Sequence, residues 1–270
     1  MPVAEGLWYE WHGPDDGEVV ILSAGLGGSA TYWAPNLEAL AAGFRVLAYD
    51  HRGTARSDHA LPDVVTIEDM AGDVLALMDA LGVARAHVVG HALGGLIGMA
   101  AALAAPERID RLVVVNGWGR LEAHTARCFD VREAILRDSG VEAYIRAQPL
   151  FLFPANWMAE NPDILAEDAA AQLAHFPGSE AVAKRIAAIR AFDIGDRIAE
   201  IASPLLAVSA DDDLLVPSIA SARLLDRGAG GLDSSELVMG WGGHACNVTD
   251  ADGFNEFVPA WLAGEAFPEE

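Results

Sequence analysis

Residues 88–94 read V-V-G-H-A-L-G, and residues 94–104 continue G-G-L-I-G-M-A-A-A-L-A ahead of Pro106. The apolar run ending at Val89 reads as a short buried strand, the stretch after Gly94 has helix-forming composition, and Pro106 ends it. Between them the chain reverses within Gly90-His91-Ala92-Leu93-Gly94. So sharp a turn needs glycine at both flanks, because a side chain at Gly90 or Gly94 would collide with neighbouring backbone. Strand, tight turn and buried helix in this order predict one unit of an α/β sheet. Taken alone, the pentapeptide also fits an ordinary turn in a chain rich in glycine and alanine.

Three further segments supply context. Residues 19–23 (V-V-I-L-S) form a buried-strand run leading into Ala24-Gly25-Leu26-Gly27-Gly28, where small residues let backbone N–H groups face a ligand. Residues 204–210 (P-L-L-A-V-S-A) form another, ending in Asp211-Asp212-Asp213. A carboxylate just past a buried parallel strand lies at the sheet edge where ligands bind, and Asp213 is the expected acid; the other two fit a solvated turn. Residues 237–240 lead into Trp241-Gly242-Gly243-His244, whose glycines let the imidazole swing from a loop into a site. Strand and helix patterns alternate over 19–115, stop over 119–194 where only helical stretches such as 125–137 and 180–191 stand out, and resume at 204. The expected organisation is a mostly parallel central sheet flanked by helices, formed by 1–118 and 195–270, with 119–194 as a helical cap.

The pattern G-x-S-x-G places a nucleophilic serine at the tip of such a turn, followed in chain order by an acid and a histidine. Here the tip is Ala92, and a methyl group attacks nothing. The remaining parts keep their order: Asp213 as acid, His244 as base, and the N–H groups of Leu26 and Leu93 as the pair that would hold an oxyanion. His91, before the tip, reads as structural or pocket-lining, and Cys246 as a small buried thiol rather than a substitute nucleophile.

With Asp50-His51-Arg52-Gly53, a D-x-R-G turn, these features make the chain resemble the α/β-hydrolase superfamily along nearly its whole length. V-N-G-W at 115–118, R-C-F-D-V-R-E at 127–133, Q-P-L-F-L-F-P-A-N-W-M at 148–158, A-H-F at 174–176, D-D-L-L-V-P at 212–217 and G-G-H-A-C-N-V-T-D at 242–250 narrow the resemblance to the RutD family. That family belongs to the Rut route of bacterial pyrimidine (uracil) breakdown and nitrogen utilisation. Its members are described as aminoacrylate hydrolases and, in a later view, as carbamate hydrolases, and they also read G-H-A-L-G at the elbow. The resemblance therefore implies that Ala92 is the native residue.

Composition agrees with an enzyme of that kind. A chain of 270 residues, 52% of them hydrophobic, can bury an extensive core. Forty acidic against seventeen basic residues give a net charge of −23, which repels nucleic-acid phosphates and anionic membranes alike, so neither is an expected partner. The same field does not draw in a small anion, and any carboxylate-binding group must act locally. Cys128 and Cys246 are too few for a disulfide framework and no metal-ligand cluster surrounds them, so a reducing cytoplasm and no metal or cofactor are expected. Residues 1–11 carry Glu5 and Glu10 and lack a signal-peptide pattern, and the longest apolar stretch, 92–105, is too short to span a bilayer.

The chemistry scales accordingly. In a serine hydrolase, losing the nucleophile costs about 10⁶ in rate, roughly 8 kcal/mol, while oxyanion donors and binding still leave about 10³ to 10⁴ over water. A stable ester or amide would then turn over too slowly, whereas carbamate, or an enamine such as aminoacrylate that hydrolyses through its imine, needs only modest help. The expectation is water activated by His244 and Asp213 beside Ala92, with Arg127 or Arg132 pairing with the substrate carboxylate and Trp157 among the pocket aromatics. Pairing of both arginines with Asp130, Glu133 or other surface acids is the plainer alternative. A non-catalytic metabolite-binding protein, and a lyase or cofactor-free oxygenase, are the competing readings on the same fold.

Overall fold

A computed structural model describes residues 2–265. Eight strands among them, β1 (Val3–Ala4), β2 (Leu7–His12), β3 (Val19–Ser23), β4 (Arg45–Tyr49), β5 (Ala86–His91), β6 (Ile109–Val115), β7 (Leu205–Ala210) and β8 (Ser235–Met239), form one sheet in the order β1-β2-β4-β3-β5-β6-β7-β8. From β4 to β8 all pairings are parallel, while β1 and β2 run antiparallel at one edge. The edge pair was not part of the sequence expectation. Only Leu7 and Trp8 of β2 are buried and Tyr9 to His12 are half-buried, so no continuous apolar run marks it.

Alternate side chains of the central strands feed two cores. Ile21 and Val88 point to one face, where α2 (Ile67–Ala80), α3 (Leu93–Ala104) and the inserted helices pack. Val20, Leu22 and Val89 point to the other, against Trp33, Leu40 of α1 (Ala34–Ala41) and Phe254, Val258 and Trp261 of the C-terminal helix Ala251–Leu262. Strands buried on both faces read as unbroken apolar runs, which is why β3, β5 and β7 were legible and β2 was not.

Strand order reverses around β3: β4 lies on one side and β5 on the other. At such a switch point the loops leaving the carboxyl ends of the two strands diverge and leave a crevice. The 24–28 loop and the turn at 91–93 flank that crevice. Between β6 and β7 the chain makes α4 (Ala123–Ser139), α5 (Val141–Ala147), α6 (Pro149–Leu152), α7 (Ala155–Glu160), α8 (Pro162–Ala174) and α9 (Ser179–Ala191), and all of these but α7 supply residues that roof it. No helix among the described residues is long and apolar enough to cross a membrane.

Candidate active site

The turn after β5 holds Ala92 at φ +46°, ψ −111°, a region costly for a residue with a side chain, on the order of 1–3 kcal/mol. Its flanking glycines are obligatory. A Cβ at Gly90 would lie 2.3 Å from the carbonyl carbon of Gly94, and one at Gly94 would lie 2.0 Å from the carbonyl oxygen of Ser23. The strained backbone is thus kept although the residue it displays has no reactive group.

A cavity of about 690 Å³ opens above Ala92. Leu26, Ala92, Leu93, Arg132 and His244 line it, together with Phe129, Tyr144, Ile145, Val182 and Ile189 from the inserted helices. The His244 Nδ1–H donates to Asp213 Oδ2 at 2.8 Å, and both side chains are buried. Asp213 Oδ1 accepts from the N–H groups of Leu215 (2.7 Å) and Val216 (2.9 Å), so its carboxylate is fixed by backbone and has one oxygen left for the imidazole. Nδ1 being engaged, Nε2 is the ring atom free to meet a ligand. Asp212 is exposed and accepts from Gly243 N–H at 2.8 Å, steadying the loop before His244, and Asp211 is exposed.

The backbone carbonyl of His244 is gripped twice, by His91 Nε2–H at 2.7 Å and by the Asn116 amide at 2.8 Å. His91 stacks on Tyr32 with ring centroids 4.7 Å apart, and the Tyr32 hydroxyl donates to Asn247 Oδ1 at 2.7 Å. Cys246, fully buried with Sγ accepting from Asn116, does not line the cavity, and burial pushes its thiol up to about 12, with Asp213 adding to the effect. It is inert as a nucleophile.

Neither the Leu26 nor the Leu93 N–H has an acceptor among the described residues. Leu93 is the first residue of α3, where helical geometry leaves the N–H without an internal partner. Leu26 is set by Arg185 of α9, a residue absent from the sequence expectation. Its fully buried guanidinium donates to Leu26 O (3.0 Å), Gly25 O (3.4 Å) and His51 Nδ1 (2.9 Å), and Gly25 O also accepts from Gly28 N–H at 3.0 Å. A trans peptide opposes its carbonyl and its N–H. Holding the Gly25 carbonyl from behind therefore aims the Leu26 N–H the other way. With no carboxylate beside it, burial lowers the Arg185 pKa to about 10.

Arg127 and Arg132, expected as alternatives on one helical stretch, separate in the structure. Arg132 is 5% exposed and faces the cavity, its Nη2 donating to Gln148 Oε1 and its Nε unpartnered. Phe129, Phe151 and Tyr144 surround it at 5.2, 5.8 and 6.0 Å from ring centroid to guanidinium carbon. No carboxylate pairs with it among the described residues; Asp130 and Glu133 instead pair with Arg190. Arg127 is exposed and lies off the cavity, because α4 turns it to the outer face. Trp157 is half-buried against Phe153, with ring centroids 4.8 Å apart, and does not line the cavity either. Among the described residues no group of three or more His, Cys, Asp or Glu side chains converges as a metal site.

Burial holds His51 and His91 well below the ordinary histidine value of 6.5; Arg185 adds to this at His51 and His244 adds to it at His91. Both are neutral in the folded protein near pH 7, while the unfolded chain takes up their protons below about 6.5. The unfolded state then binds more protons, so stability is full above that value and declines as pH falls, by up to about 1.4 kcal/mol per pH unit for each histidine. Urea midpoints measured near pH 7, 6 and 5 are expected to drop in that order, and His51→Gln should flatten the decline; equal midpoints would refute the neutral assignment.

The alpha/beta hydrolase fold family profile matches residues 18–137. Proteins named "Putative carbamate hydrolase RutD" from Rhizobium rhizogenes (strain K84) and Caulobacter sp. (strain K31) are 50% and 48% identical to the chain. The alignments cover 95% of this chain and 97% of the first relative, and 97% of each chain for the second. Among solved structures, the enol-lactonase from Burkholderia xenovorans LB400 superposes with a TM-score of 0.87 at 30% identity, covering 96% of this chain and 98% of its own. A hydrolase from Pseudomonas aeruginosa PA01 gives 0.85 at 28% identity, covering 95% and 94%.

Proposed function

Since the chain belongs to the RutD family of α/β-hydrolases, we propose that it hydrolyses carbamate or 3-aminoacrylate in uracil breakdown in the cytoplasm, using water in place of a side-chain nucleophile. The observation that carries this reading is the buried His244–Asp213 pair, hydrogen-bonded at 2.8 Å beside an elbow whose tip is Ala92. An acid and base kept in hydrogen-bond register at a strained turn support proton transfer rather than passive binding.

In this reading a water stands where a serine hydroxyl would otherwise project from Ala92. His244 Nε2 takes its proton as the oxygen attacks the carbamate carbon or the imine carbon of tautomerised aminoacrylate. Asp213 holds the imidazole in the needed tautomer and stabilises its cationic form. The Leu26 and Leu93 N–H groups donate to the carbamate oxygen on which negative charge builds as the carbon becomes tetrahedral. From carbamate the proton then passes from His244 to the departing nitrogen, giving ammonia and bicarbonate; from the imine it passes to nitrogen to give the carbinolamine, whose hydroxyl proton His244 then transfers to the same nitrogen as ammonia leaves and the 3-oxo acid forms. Residues 119–194 act as a cap that excludes bulk water.

Arg132 receives the carboxylate of aminoacrylate, which is separate from its reacting carbon. A guanidinium sealed among aromatic rings without a counter-charge is costly to bury, and an anionic ligand repays that cost. Arg132→Gln is expected to raise KM for aminoacrylate by about 10- to 100-fold, the worth of a charge-assisted hydrogen bond, with a smaller change in kcat; an unchanged KM would remove Arg132 from the site. The reading as a whole is tested by following ammonia release from each compound with and without protein. A protein-dependent rate for either supports it, and decay identical to buffer for both refutes it.

A further inference from the structure

We infer that the cavity accommodates a monocarboxylate whose apolar body is several times larger than carbamate or aminoacrylate. The inference rests on the reading of Arg132 as the carboxylate-binding group and adds a ligand class to it. At about 30 Å³ of liquid per water, a cavity of about 690 Å³ has room for roughly twenty waters. Carbamate displaces about two. A site shaped only for carbamate would leave most of this space as water against Phe129, Ile145, Val182 and Ile189, all buried side chains lining the cavity. Sites of several hundred Å³ with apolar walls and few polar groups are the usual size for ligands with an extended hydrophobic part.

The buried polar groups are confined, while Ser29, Thr31, Gln172 and His175, which also line the cavity, are half-buried or exposed. Arg132, bonded to Gln148, is set among aromatic rings, and Trp118, whose buried indole N–H has no hydrogen-bond partner among the described residues, also lines the cavity. His244 and the two free N–H groups stand at the floor. Arg56 also lines the cavity, but Asp50 neutralises it with a bidentate pair at 2.7 and 2.9 Å, which leaves Arg132, among the described arginines that line the cavity, without a carboxylate. Asp168 lines the cavity from α8, and the chain carries a net charge of −23, so a second negative charge on the ligand is disfavoured. The favoured ligand is thus an acid with one carboxylate and an aliphatic or aromatic remainder.

The test is calorimetric binding of acetate, butyrate, hexanoate and octanoate to the full chain, beside hexanamide and adipate. Each added methylene is expected to tighten binding about fourfold, hexanoate to bind better than hexanamide, and adipate to bind worse than hexanoate. Val182→Phe should stop the gain at a shorter chain; if that variant does not fold, Ala171→Phe on the exposed side of α8 serves the same purpose. A flat series from acetate to octanoate overturns the enlarged ligand while leaving Arg132 as an anion site. A gain that persists unaltered in the filled variant overturns its location in this cavity. Equal affinity for hexanoate and hexanamide overturns the role of Arg132, and with it the acid class.

Discussion

Ala92→Ser is expected to switch on ester hydrolysis, with p-nitrophenyl acetate turnover at least about 10³ above wild type, and to leave an acetyl adduct on the protein visible by mass spectrometry. The expectation rests on what the elbow already has. The backbone at Ala92 adopts φ +46°, ψ −111°, and the N–H groups of Leu26 and Leu93 have no acceptor among the described residues. His244 is bonded to a carboxylate that is itself fixed by two backbone N–H groups. In a serine hydrolase the nucleophile is worth about 10⁶ in kcat, so partial recovery leaves a large margin over background. A folded variant without any gain would mean that His244 is not aimed at the tip.

His244→Ala is expected to lower the protein-dependent rate on carbamate or aminoacrylate by about 10²- to 10⁴-fold, the usual worth of a positioned general base. Asp213→Asn should approach the same loss. An asparagine oxygen can still accept from Leu215 and Val216, but its amide would present a donor to Nδ1 and so favour the wrong tautomer. Intact folding of Asp213→Asn with a collapsed rate would separate chemistry from structure. If His244→Ala matches wild type while both exceed buffer, the base is elsewhere.

Much of this site was legible because its determinants are local. Gly90 and Gly94 announce a turn whose sterics admit little else, and Val19 to Ser23 and Leu205 to Ala210 announce strands by burial on both faces. Asp213 and His244 follow from chain order after that turn. What escaped reading depends on contacts between distant segments. Arg185 lies 159 positions from Leu26, in a helix whose sequence looks like an ordinary amphipathic stretch with one more arginine. Its neighbour Lys184 pairs with Glu180 on the surface, and nothing in composition tells the two apart. Arg127 and Arg132 could not be separated either, since their orientation depends on which side of α4 meets the roofed space. Asn116 and Tyr32, which brace the histidine loop, likewise act only through tertiary packing.

The inserted segment is unevenly fastened. Its last helix, α9, contributes five buried residues besides Arg185, and that guanidinium ties α9 to the floor of the cavity. Helices α6, α7 and α8 contain no buried residue at all, although α8 supplies Asp168, Ala171 and Gln172 to the cavity wall. Local opening follows the scarcity of buried apolar contacts. Local opening is therefore expected to cost least at α8, like a shutter hung from a fixed post, and an opening there would leave the donors below in place.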